Sequence, residues 1–100
     1  LWRGPALADF RYESFALAEA GRLEELRLVA LGLRLEADLA LGRAAEVVPE
    51  LEALVREHPL RESLRELLIL SLYRAGRQAD ALAAYQDARA AQVLMDFVAE

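Results

Sequence analysis

An all-α array of antiparallel helices is the fold class this sequence predicts, and three observations carry the prediction. Leu (21) and Ala (20) supply 41 of the 100 residues, whereas the β-branched set is six Val, one Ile and no Thr; helix formers abound and strand formers are scarce. Apolar residues recur at helical rather than alternating spacing. Gly42, His58-Pro59 and Gly76 then punctuate the chain into stretches of helical length. With 56% hydrophobic residues, a chain of 100 makes one domain at most, with one modest core.

In chain order, Gly4-Pro5 marks residues 1–13 as an irregular lead-in. A first helix is expected from Ser14, a plausible N-cap, to Leu41. The second is expected over 43–57, the third over 60–75 and the fourth over 77–98, so that 14–98 form a single domain. Such short connections make consecutive helices antiparallel neighbours. On the first helix, Leu23, Leu26, Ala30, Leu33, Ala37 and Ala40 share one face, and Leu28, Leu31, Leu35 and Leu39 the opposite one. A helix with two apolar faces sits between two neighbours, so one face is expected to be covered in the intact protein by upstream helices or a second subunit. Leu28, Leu31, Leu35 and Leu39, with Trp2, are the candidate interface. Trp2, Phe10, Tyr12 and Phe15 are otherwise expected to pin the lead-in across the first helix as core. Pro49 predicts a kink in the second helix, or a short turn before it. Gly21 and Gly32 are expected to mark close helix approach, with a hinge as the alternative.

Gly42-Arg43 recurs as Gly76-Arg77, 34 residues on, which is the period of tetratricopeptide helix hairpins. With Gly76 between two helices of a repeat, Ala81, Tyr85 and Ala88 fall where that repeat places small, aromatic and small residues. With Gly42 in the same role, the matching positions are Val47, Leu51 and Leu54, and Pro59 takes the terminal proline position. Small residues let helices approach and an aromatic plugs the gap between them. Asp38 stands where a packing aromatic is expected, so the array reads as divergent, an α-solenoid of tetratricopeptide-like hairpins that presents a surface to partners.

Composition argues against most site chemistry. The chain has no Cys, so it has no disulfide, thiolate metal site or cysteine nucleophile. His58 is the only histidine, and its place before Pro59 reads as a helix C-terminus rather than a ligand. Glu46 and Glu50, one turn apart, lack a third ligand and read as a solvated face. Ser14, Ser63 and Ser71 lie in no nucleophile turn, Ser71 reading as a packing residue, and the isolated glycines form no phosphate loop. No catalytic residue, cofactor or metal is therefore expected. A net charge of -5, with all twelve basic residues scattered Arg, is the wrong sign for direct nucleic-acid binding. No apolar run approaches the ~18 residues of a membrane span. A cytoplasmic setting and protein partners are expected. The chain opens Leu1-Trp2-Arg3 and reads as a piece of a longer protein.

Longer strings carry a resemblance. Leu1-Trp2-Arg3-Gly4-Pro5-Ala6-Leu7-Ala8-Asp9, Glu36-Ala37-Asp38-Leu39-Ala40-Leu41-Gly42-Arg43, Glu57-His58-Pro59-Leu60-Arg61-Glu62 and Leu72-Tyr73-Arg74-Ala75-Gly76-Arg77-Gln78-Ala79 strongly resemble the bacterial transcriptional activator domain of SARP-type antibiotic-pathway regulators of actinobacteria. The resemblance covers residues 1–96. It implies a dimerisation and activation module beside a winged-helix DNA-binding domain upstream, with no DNA-contact residue in this chain. Partners would be sister domains, a second copy or the transcription machinery. The family usually leaves its last helix with an acidic residue and a glycine. This chain has Asp96-Phe97-Val98-Ala99-Glu100 instead, so its last helix is expected to run to about Val98. The alternative reading is a tetratricopeptide-like adaptor for a peptide or co-regulator outside transcription.

Overall fold

The computed structural model describes residues 3–99, with side chains from Arg11 onward. These residues form four helices and no strand: α1 (Arg3–Ala40), α2 (Ala44–Glu57), α3 (Glu62–Arg74) and α4 (Gln78–Ala99). The chain divides into two units, residues 1–31 and 32–100.

The first unit holds most of α1. The stretch expected as an irregular lead-in is helical from Arg3 onward. Pro5 is only its third residue, where an N–H would have no intrahelical acceptor, and the fixed φ of proline suits a first turn. From Arg11 to Arg27 no side chain is buried; Tyr12 and Phe15 are exposed rather than core, and Leu28 is the first buried residue among those whose side chains are described. Trp2 lies outside the described residues, as does the side chain of Phe10. Ion pairs between exposed neighbours, Glu19 with Arg22 at 2.6 Å and Glu24 with Arg27 at 2.8 Å, brace this stretch, each worth a few tenths of a kcal/mol.

The second unit is the helical array. Leu35 and Leu39 at the end of α1 are buried, as are Val47, Val48, Leu51 and Leu54 of α2 and Leu64, Leu68 and Leu72 of α3. Each such leucine contributes about 1.5–3 kcal/mol by leaving water. Consecutive helices pack, α3 on α2 and α4 on α3. The contribution of α4 is small: across 22 residues it buries only Ala81.

Two turns of one design separate the helices. Gly42 N–H donates to the Leu39 carbonyl at 3.0 Å and Arg43 N–H to that of Asp38 at 3.1 Å. Thirty-four residues on, Gly76 N–H donates to Tyr73 at 3.0 Å and Arg77 N–H to Leu72 at 2.9 Å. This pair of bonds is the Schellman motif, which needs a left-handed residue after the helix. Gly42 and Gly76 supply it, with φ of 82° and 79°. The repeat read from the sequence is therefore a repeat of backbone geometry.

Pro49 lies within a continuous α2, so no separate turn precedes the helix. It is solvent-facing, which leaves the Ala45 carbonyl, deprived of its N–H partner, free to take water. Gly21 and Gly32 have open space where a Cβ would stand, which removes close helix approach as their explanation.

Candidate interaction surface

The α1 face expected to await a partner is in fact core. Leu28, Leu35 and Leu39 are buried and Leu31 is half-buried, so the candidate interface is corrected: those side chains are spent within the chain. The opposite face is the open one. In the first unit, Tyr12, Phe15, Leu23, Leu26 and Val29 are exposed and share one side of α1, broken only by the Glu19–Arg22 pair. In the second unit Leu33 is exposed too. The helical spacing separates the two faces of α1, but it carries no signal for which of them is buried.

At the junction of α1 and α2, Arg34 bonds both Asp38, at 3.1 Å, and Glu50. Glu50, and more weakly Asp38, hold the guanidinium above its ordinary pKa. Asp38, in the position expected for an aromatic, also faces Arg43 at 3.5 Å. A polar tie thus stands where an apolar plug was expected.

The repeat positions divide into closed and open. In the first repeat Val47, Leu51 and Leu54 are buried, while Pro59 sits exposed in the link before α3. In the second, Ala81 is buried and Ala88 half-buried, but Tyr85 is 47% exposed. It forms one wall of a groove between α3 and α4, of about 210 Å³, with Leu60, Ile69, Ala88 and Met95 also lining it. The groove continues past Leu70, Tyr73 and Leu82 toward Gln78. Arg89 lies over the Tyr85 ring, 6.0 Å from its centroid, and donates to the Tyr85 hydroxyl at 3.2 Å. Sequence reasoning missed this groove, although the 34-residue register places Ile69 and Tyr85 where Leu35 and Leu51 stand.

Other polar candidates are structural. Ser71 is fully buried and its hydroxyl donates to the Leu67 carbonyl at 2.7 Å, the back-bond by which a helix satisfies a buried serine. His58 caps α2, its N–H reaching the Leu54 carbonyl. Among the described residues no group of three His, Asp or Glu side chains is placed to hold a metal, and no helix is long and apolar enough to cross a membrane.

The family model of the bacterial transcriptional activator domain matches residues 1–94. The chain belongs to that family. The activator domain is 54% identical over 89 residues to the regulatory protein AfsR of Streptomyces griseus, covering 89% of this chain and 9% of that protein. It is 46% identical over 85 residues to the regulatory protein DnrI of Streptomyces peucetius, covering 85% of this chain and 31% of DnrI. With the transcriptional regulatory protein EmbR of Mycobacterium tuberculosis it shares 47% identity over 85 residues, 85% of this chain and 22% of EmbR. The activator domain thus spans a third or less of the length of these relatives, and its resemblance to SARP-type regulators of actinobacteria holds. No solved structure matches it significantly.

Proposed function

We propose that this activator domain is a protein-contact and dimerisation module of a SARP-like transcriptional activator. DNA recognition then belongs to a winged-helix domain preceding it in the full regulator, and contacts with sister domains and the transcription machinery belong to this one. The observation that carries the reading is the uncovered apolar strip of α1 in the first unit: Tyr12, Phe15, Leu23, Leu26 and Val29. Apolar strips of that length on a helix are self-association or docking surfaces more often than solvent faces. A net charge of -5 adds support, because phosphate neutralisation requires the opposite sign. The proposed setting is the cytoplasm, and the proposed chemistry is contact alone, with no catalytic step.

Sedimentation of the chain tests the reading. The chain is expected to sediment as a dimer, and the double variant Leu26→Glu with Val29→Glu as a monomer of unchanged helical circular dichroism. A wild-type monomer across the accessible concentration range would remove the dimerisation role. Retention of promoter DNA by this chain alone in a low-salt mobility shift would remove the assignment of DNA reading to another domain.

A further inference from the structure

From Arg11 to Arg27 α1 buries no side chain, although helices in water draw most of their stability from packing an apolar face. The open side of this stretch has the pattern that such packing uses. Tyr12, Ala16, Glu19, Leu23, Leu26 and Ala30 follow one another in alternating steps of four and three residues, the spacing of a coiled-coil seam. Five of these are apolar and exposed, and Glu19 is half-buried.

Charge decides which helix fits the seam and in which direction it runs. Glu13 and Arg27 flank the seam on one side and Arg22 on the other, while Arg11, Glu24 and Glu25 lie behind it, at positions remote from a partner helix. Arg22 binds Glu19 at 2.6 Å and Arg27 binds Glu24 at 2.8 Å. Glu13 has no ion-pair partner among the described residues. A second copy laid parallel and in register would set Glu19 against Glu19 inside the seam and Arg22 against Arg27 along both flanks. A copy running the opposite way removes these conflicts. In the register that seats Ala16 on Leu26, Tyr12 falls on Ala30, so that large residues meet small ones. The same register brings Glu13 beside Arg27 of the second copy at either end of the seam. At its two-fold centre each Glu19 stands across from Leu23, between its own Arg22 and that of the second copy. The surface is thus complementary to itself in one direction and repels itself in the other.

We propose, resting on the dimerisation reading above, that α1 pairs over residues 12–30 with α1 of a second copy as an antiparallel coiled coil. Ala16 seats on Leu26, and Glu13 pairs with Arg27 of the second copy.

The chain has no cysteine, so introduced thiols report the pairing directly. Chains carrying Ala16→Cys and chains carrying Leu26→Cys, mixed and equilibrated in a glutathione buffer, are expected to form the mixed disulfide well above its random share, read by intact mass. Either variant alone should stay largely unlinked. Glu13→Arg or Arg27→Glu alone should weaken the dimer about tenfold in sedimentation, because both symmetric pairs turn from attraction to repulsion, and the two together should restore it to within about threefold. Glu46→Arg, the same charge change at an exposed position of α2, should leave the dimer as it is. All four seam and flank positions are exposed in the single chain, so helical circular dichroism should not change. Homodisulfides of either thiol variant alone would make the pairing parallel. A mixed disulfide at no more than its random share, or a double charge swap as weak as the single ones, would deny the register. Any of these in a chain that still sediments as a dimer overturns the inference and leaves the dimerisation role standing, whereas a wild-type monomer removes both.

Discussion

Gly42 and Gly76 are the residues on which the backbone path depends most directly. A side chain at a φ near +80° is strained whatever space surrounds it, and both helix ends rely on that conformation for their closing bonds. Alanine at either position is expected to cost about 1–2 kcal/mol, read as a lowered urea midpoint with unchanged slope. Gly32 makes the opposite case. It is helical, meets nothing where a Cβ would be added, and pays the flexibility penalty for no packing return. Gly32→Ala should stabilise by about 1 kcal/mol, and an unchanged urea midpoint would show that the helix has a use for the glycine. Leu51 is the core counterpart, 1% exposed between neighbouring helices. Leu51→Ala should destabilise by about 2–5 kcal/mol and is best followed by thermal unfolding, since a domain of this size has little stability in reserve.

Among the elements, α2 carries an internal fault. Pro49 interrupts the hydrogen bonding of a helix that is otherwise the best buried in the chain, and its exposed side leaves nothing there to compensate except water. Pro49→Ala should therefore raise the melting temperature, by the equivalent of up to about 3 kcal/mol; a fall would mean that the proline supports the chain's path into α3. The elements also show how far a sequence reading reaches. The ends of α2, α3 and α4 lie within two residues of the positions expected, because Gly42, Pro59 and Gly76 act locally and a local signal needs no tertiary knowledge. The start of α1 differs by eleven residues, Arg3 rather than Ser14, because Gly-Pro reads alike as a loop or as a helix's first turn. The two faces of α1 were legible and their fates were not. Burial depends on packing set by residues distant in the chain, and no residue of α1 encodes that.

For the whole molecule, stability and contact surface are unevenly distributed. The buried leucines and valines lie from α1 to α3, whereas α4 contributes Ala81 alone while exposing Leu82, Val93, Leu94, Phe97 and Val98. An acidic chain with that much open apolar surface is expected to become least soluble near its isoelectric point of about 4.9. Turbidity across pH should peak there and fall on either side; a flat profile would mean the apolar faces are already mutually covered in solution. Unequal burial also sets a clock. A helix held by one small buried side chain opens without the rest of the array, so α4 amides should exchange with deuterated water well before those of α2 and α3. A protease would find its first foothold in the same helix. Whatever fills the groove beside α4 would then slow that exchange and close that foothold together, and the sturdy part of the domain would register neither event.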